Sequence, residues 1–501
     1  MKRPWIVLLV ALVVETILFV AAQGDYVVAD PLWYASLAHS IAADPSSAFG
    51  HGEMHPFVMR VGLTLPLALL YRLFGVSTLV SNLPCLIAAN GTIATVYAAA
   101  RTPRAKVIGM ALCLACVPLF QHMRLLGVDL PAGALIGCSV LCIARRDGRR
   151  GALWLAGGVV AWFAAFLVKE IALWCAPIWI YAIVVDLRAS GWKATARTYA
   201  PAVGIGVVLG AGYLALCAVV WGDPLARIHG ITHAVSNVQA ARYSDAWLMP
   251  GAGASRWIAR LIWQVPVLLV TMFGAMLVPV VLSPWLIRGR DRIWPVATAV
   301  IALCYWFGSS TIRAYLPLPI SQRMIVPVLP CLLATAALAV DGAIDRWRLG
   351  IGARRAIVVA WAVVVVAQAA LPIAAGVRHP HPETDAFALV RREAAADPAR
   401  PLIVVCGEPR CAMIGNFYFG FAPPPNVTMP LAGEFAAAPP PHGAIVRALV
   451  NRIRAPGAHN TDPSSDRTAD ITALQLPILA GNKNVTLYDA GDGVRLHDAL
   501  H

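Results

Sequence analysis

The residues of this chain best suited to chemistry are carboxylates and cations at the ends of apolar stretches. Asp30 follows the first such stretch, in Ala29-Asp30-Pro31-Leu32-Trp33-Tyr34, with His39 shortly after. A carboxylate in that place can take a proton from a hydroxyl arriving at a membrane surface. A lone aspartate is ordinarily a solvated loop residue, so the weight falls on what shares its side. The same loop carries Asp25, Asp44, Glu53 and His55; a second holds His122, Arg124 and Asp129; Lys169-Glu170 closes another apolar run. Ionisable groups near membrane depth are expensive and default to a functional hypothesis. The plainer alternative is neutralisation, Lys169 pairing with Asp129 or Glu170. Arg313 and Arg323 flank the stretch 314–322. A guanidinium fork suits an interfacial phosphate because it donates two parallel hydrogen bonds. In the stretch 222–256, His229 and His233 are four apart, a spacing open to zinc or to one face of an interfacial helix. Arg242-Tyr243 there could contact a sugar or phosphate.

The elements that must position these groups are membrane helices. The 501 residues are 59% hydrophobic and 13% charged, with a mean hydropathy of +0.69. Soluble domains carry roughly 25% charged residues, so the composition is that of a polytopic membrane protein. The net charge of +14 sits in short clusters between apolar runs, which reads as topology and excludes a nucleic-acid face. Cys113 and Cys116 form a CxxC on an apolar segment with no second pair nearby, so they read as small hydrophobes.

Apolar segments fall near 5–22, 78–100, 107–121, 131–144, 152–168, 171–185, 199–221, 257–287, 294–308, 324–340 and 356–373. If each crosses once, Lys2 and Arg3 share a side with the basic clusters at 101–106, 145–150, 188–197, 288–292 and 346–355. The positive-inside rule makes that side cytoplasmic. The stretch 57–74 would spoil this order, and with Arg60, Pro66 and Arg72 it reads as interfacial or re-entrant. The expected architecture is an all-α polytopic domain over 1–375, with about eleven crossings and interfacial helices in the first outer loop. A small extracytoplasmic α/β domain over 376–501 follows. There 402–405 reads as a strand leading into a helix, and 485–488 with 493–496 as a hairpin. Cys406 and Cys411 are either a disulfide or buried thiols.

In order and placement these motifs resemble the polytopic GT-C glycosyltransferases, the protein O-mannosyltransferase-like group and the bacterial lipid A aminoarabinose transferase. That family has Asp-Glu-x-x-Tyr in its first outer loop; Asp30 to Tyr34 fits, with Pro31 for the glutamate. His55-Pro56-Phe57 is similar to its Lys/His-Pro-Pro, and Asp129-Leu130-Pro131 to its Asp-x-Pro. Lys169-Glu170 resembles its Lys-Gly, and Arg323 through Pro330 its Arg-Tyr-x-x-Pro-x-x-Pro, with Met324 for tyrosine.

The resemblance implies transfer of a sugar from a polyprenyl-phosphate donor to a hydroxyl on a lipid, glycan or protein, with inversion, at the outer face of a bacterial inner membrane. Asp30 is then the base, with Asp129 orienting the acceptor or sharing a divalent cation with Asp30; metal dependence is left open. Lys169 and Arg323, supported by Arg124 and His55, hold the donor phosphate. Tyr34, Glu53, Arg242 and Tyr243 are substrate contacts. The rival readings are a flippase for lipid-linked sugars and a non-catalytic membrane subunit. A flippase would place its ionisable residues near the midplane and show an internal repeat.

Overall fold

The structure, a computed structural model, describes residues 4–23, 29–52, 56–148, 150–232, 259–308, 318, 320–346, 351–378, 382–407, 409–451, 468–481 and 485–500. The chain divides into two compact units. The first takes Met1–Ala22, Ser46–Pro66 and Asn82–Arg378, and the second Gln23–Pro45, Leu67–Ser81 and His379–His501. The second unit thus combines the C-terminal segment with two stretches of the expected first outer loop.

The helices are α1 (Trp5–Ala21), α2 (Ala29–Ala43), α3 (Val61–Phe74), α4 (Thr78–Ala99), α5 (Pro103–Leu114), α6 (Val117–Met123) and α7 (Asp129–Ala144). There follow α8 (Gly151–Val168), α9 (Ala176–Trp221), α10 (Val265–Phe273), α11 (Leu277–Leu286), α12 (Ile293–Phe307), α13 (Leu329–Arg346) and α14 (Ile351–Arg378). Each apolar segment read from the sequence is mostly helical over its described residues, 107–121 being interrupted at Ala115 and Cys116. Among these residues, five helical stretches are long and apolar enough to cross a membrane, or six if the pair α5–α6 counts as one. α1, α3 and α7 are shorter apolar helices. The α5–α6 pair bends by 58°. Pro118 opens α6, where a missing N–H costs least. Gly191 (φ 75, ψ 168) breaks α9 into two helices meeting at one residue. That break falls between the apolar runs read at 171–185 and 199–221. At 1.5 Å per residue α3 is roughly 21 Å long. That is short of the ~30 Å hydrocarbon core, as are α1, α7 and α12.

The first unit closes around Trp294, Tyr305 and Phe120, all at most 2% exposed. Its basic clusters share one end of the bundle, because their ion pairs join successive connections there. Arg101 pairs with Asp291, Arg104 with Asp341 and Asp345, Arg290 with Asp147, and Arg146 with Asp186. The opposite end is set by two close approaches. A Cβ on Gly62 would lie 2.7 Å from Val168 N, and one on Gly133 2.8 Å from Pro327 Cα. Glycine at these positions lets α3 seat on the end of α8, and α7 on the turn ahead of α13.

The second unit carries α15 (Pro382–Ala396), α16 (Pro409–Tyr418), α17 (Ala432–Ala436), α18 (Thr468–Ala473) and α19 (Val494–Leu500). Its strands are β1 (Leu402–Cys406), β2 (Val427–Thr428), β3 (Ile445–Asn451), β4 (Ile478–Gly481) and β5 (Val485–Asp489). The sheet order is β2-β1-β3-β5-β4. β1 is parallel to β2 and β3, and β5 is antiparallel to β3 and β4. β4 shifts register between Ile478 and Ala480. β1 and the helix after it stand where the sequence places them. The expected hairpin is corrected: 494–500 is helical, and β5 pairs with β3 and β4 instead. The turn closes through Gly493 N on Ala490 O at 2.9 Å, and Asp492 Oδ1 accepts from Val494 N at 3.1 Å, starting α19. Cys406 is buried at the end of β1, while the Cys411 side chain lies outside the described residues.

Candidate functional site

In the first unit a connected group of charges gathers at the ends of α7 and α8. Lys169 leaves α8 in an extended conformation (φ −154, ψ 138), which turns its side chain out of the helical path. The next residues form a tight turn, Glu170–Cys175, anchored by Trp162 Nε1 donating to Ala172 O at 2.5 Å. Asp129 stands in the first turn of α7. The positive end of a helix dipole favours a carboxylate there, and the negative end of α8 favours the Lys169 ammonium. Lys169 Nζ donates to Asp129 Oδ1, and Met324 Sδ lies 3.5 Å from the same nitrogen. Both residues are buried, Lys169 at 4% and Asp129 at 7% exposure. Arg323, exposed in the turn before α13, and His122 of α6 both act electrostatically on Asp129.

Glu170 is held by two guanidiniums. Arg60 Nη2 donates to Oε1 at 2.8 Å and Arg60 Nε to Oε2 at 3.4 Å, a bidentate grip. Arg227 Nη2 stands 3.5 Å from Oε2. Arg227 is 3% exposed and lies 4.3 Å over the Phe166 ring; both its Nη atoms are buried without a hydrogen-bond acceptor among the described residues. An unmet buried donor costs about 1–3 kcal/mol and more when charged, and the facing Glu170 carboxylate offsets part of that cost for Arg227. Sequence reasoning noted Arg60 only as a charge in 57–74 and passed over Arg227. The available signal was its place just past an apolar run, after Asp223-Pro224.

Arg124 holds the end of α1: its Nε donates to Ala22 O, and its guanidinium lies 4.9 Å over Phe120. Its backbone oxygen accepts from Asn82 Nδ2 at 2.7 Å. Glu53, His55, Arg242 and Tyr243 lie outside the described residues.

Asp30 and Tyr34 belong to the second unit, on α2. Pro31 falls in the first turn of that helix, where proline is tolerated. Asp30 is half-buried in the same turn, and Tyr34 is 1% exposed. α2 packs on α16, and the His39 ring stacks on Phe421 with centroids 4.7 Å apart. Burial lowers the His39 pKa from its ordinary value, so the ring is neutral at pH 7. The C-terminal fold therefore positions the helix that carries Asp30.

Among the described residues no group of three His, Cys, Asp or Glu stands ready for a metal ion. At Asp129 the Lys169 ammonium takes the place a cation would need, so the residues present there do not form a cation site.

No protein-family model and no curated protein sequence matches this chain. Solved structures do. ArnT from Cupriavidus metallidurans in the apo state matches over 99% of both chains, at 15% identity and a TM-score of 0.57. The same protein bound to undecaprenyl phosphate matches over 99% of both, at 16% identity and 0.55. The Archaeoglobus fulgidus oligosaccharyltransferase, crystallised with Zn and sulfate, matches over 85% of this chain and 62% of its own, at 13% identity and 0.52. At such identities the likeness is one of fold: the chain shares its fold with ArnT and with the archaeal oligosaccharyltransferase.

Proposed function

We propose that this chain is a membrane glycosyltransferase that moves a sugar from a polyprenyl phosphate to an acceptor hydroxyl. The observation that carries the reading is the charge group of the first unit. Four cations, Arg60, Lys169, Arg227 and Arg323, stand against two carboxylates, Asp129 and Glu170, at one end of an apolar bundle. An excess of cation at a helix-bundle end, with Lys169 and Arg227 buried, Arg60 half-buried and Arg323 exposed, suits a lipid phosphate, whose tail stays in the bilayer. That an ArnT structure of this fold holds undecaprenyl phosphate supports the same donor class.

In this reading the acceptor oxygen attacks the anomeric carbon from the face opposite the phosphate, and the carbon inverts. The bond from that carbon to the phosphate oxygen breaks, and the polyprenyl phosphate leaves with the electron pair. Lys169 and Arg323, with the Arg227 fork, stabilise the charge that grows on it. Asp30 takes the acceptor proton. Tyr34, Glu53, Arg242 and Tyr243 are proposed to contact substrate, and Arg124 and His55 to support the phosphate cations. The setting is a bacterial inner membrane, with the N-terminus cytoplasmic and the C-terminal unit outside. Incubating the purified protein with a labelled polyprenyl-phosphate sugar and membrane extract tests the reading. Label should pass to a membrane component, and label that stays on the polyprenyl phosphate would overturn it.

A further inference from the structure

At the basic end of the first unit most cations are already engaged. Arg101, Arg104, Arg146 and Arg290 pair with carboxylates, and Arg145 Nη2 donates to Ala98 O at 2.6 Å. Three cations around the break in α9 differ. Arg188 just before Gly191, and Lys193 and Arg197 just after it, are exposed and have no ion pair or hydrogen bond among the described residues. The carboxylate nearest them in the chain, Asp186, is held by Arg146 Nε and Nη2 at 2.7 and 2.9 Å and by Tyr199 Oη at 2.9 Å. Like charges four apart on a helix repel one another, so Lys193 and Arg197 favour an anion between them.

The helix after Gly191 turns Thr195, Tyr199 and Ala202 inward, where all three are buried. At 3.6 residues per turn, Lys193 and Arg197 stand roughly 150–170° round from them, on the face away from the bundle. The same face runs on through Gly204, Val208 and Ala211, all exposed. Val208 is 71% exposed, and nothing lies within 4 Å of where a Cβ on Gly204 would stand. Trp192, 68% exposed, sits beside the cations, as an amphipathic ring does between water and hydrocarbon.

Unpaired cations at the head of an uncovered apolar face describe a seat for an amphiphile charged at one end. We propose that this face of α9 holds an anionic phospholipid of the surrounding membrane. Its phosphate lies among Arg188, Lys193 and Arg197, and an acyl chain runs along Gly204, Val208 and Ala211. Each Lys or Arg near a membrane surface attracts anionic head groups by about 1 kcal/mol. A zwitterionic lipid gains less, because its own ammonium is repelled by these cations. The helix α8 carries Arg150 at its start and Lys169 at its end, so the seat is separate from the charge group around Lys169. The proposal does not depend on the glycosyltransferase reading.

The test uses the full-length protein in detergent, titrated with phosphatidylglycerol, phosphatidylcholine and glycerol 1-phosphate. Phosphatidylglycerol should bind saturably, about tenfold or more tighter than the other two, and K193Q/R197Q should lose at least that factor, about 1.4 kcal/mol. R150Q/R288Q removes the same charge from exposed positions at the same end of the bundle and should leave binding unchanged. R188Q alone should also weaken the lipid, which keeps the test open if the double variant melts early. Full affinity in both R188Q and K193Q/R197Q overturns the proposal. So does phosphatidylcholine binding as tightly as phosphatidylglycerol. An equal loss in the two double variants would mean a diffuse surface potential, and glycerol 1-phosphate matching the lipid would mean an anion contact without a chain; either result overturns it as well.

Discussion

The Lys169 ammonium donates to the Asp129 carboxylate across the gap between the last turn of α8 and the first turn of α7. A buried pair of this kind is compatible with two roles, a neutralised structural contact or a cation poised for phosphate. Truncating one member separates neither, since it leaves the other charge buried and costs about 3–5 kcal/mol either way. Removing both does. K169M/D129L should be near wild type in thermal stability and should lose transfer by about 10²–10³, the effect of deleting a charge-stabilising donor. A stable double variant with full activity would make the pair structural.

Glu170 occupies the space between two guanidiniums as an internal anion. E170Q keeps the shape and removes the charge, so Arg60 and Arg227 should bind an added anion more tightly. The melting temperature of E170Q should fall below wild type and rise further on adding undecaprenyl phosphate, because a ligand of the folded state stabilises it by mass action. An equal ligand-induced rise in both proteins would separate this triad from the donor site.

D30N should lower transfer by about 10²–10⁴, the usual contribution of a positioned general base. Its insertion and melting temperature should match wild type, because Asp30 is half-buried and Asn also suits a first helical turn. Near-wild-type turnover would move the base elsewhere.

Gly62 is the contact through which Arg60 reaches Glu170. In G62A the added carbon meets Val168 N and Leu167 C at 2.7 and 2.8 Å, both backbone, so α3 or the end of α8 must shift. Overpacking of this kind costs about 1–3 kcal/mol. A displacement near 1 Å at Lys169 should cost about 10²-fold in transfer. Thermal melts and single-turnover rates on the same sample would read the two effects apart.

The His39 ring, neutral against Phe421, gives the second unit a pH dependence. Its folded pKa is depressed, so the unfolded chain takes up its proton first as pH falls through the ordinary histidine value of about 6.5. The stacking contribution is fully present above that value and declines below it, down to the lowered folded pKa. H39F should flatten the fall in melting temperature between pH 7 and pH 5; an unchanged slope would place the titration elsewhere.

Much of the first unit is legible in the sequence because a bilayer constrains chain composition directly. Apolar runs gave helices, and basic clusters gave an end of the bundle. Lys169, Asp129 and Arg323 stand out because charge at the edge of such runs is costly. The partners of Glu170 do not, since Arg60 lies 110 positions away and the pairing depends on how α3 seats on α8. The misread hairpin has a similar cause. Val494 and Leu496 alternate as a strand would, yet β5 finds both its neighbours elsewhere, and the Asp492 side chain starts a helix.

The sheet of the second unit ends in two strands that resist extension. β2 is two residues long between Pro425 and Pro430, and β4 slips register between Ile478 and Ala480 just after Pro477. A straight edge with unpaired amides would invite a strand from a neighbouring molecule. A bulged edge presents its donors and acceptors out of step, and prolines supply no donor at all. Copies of this unit can then stand side by side without adding strand to strand, although Ile478 is 66% exposed on that edge.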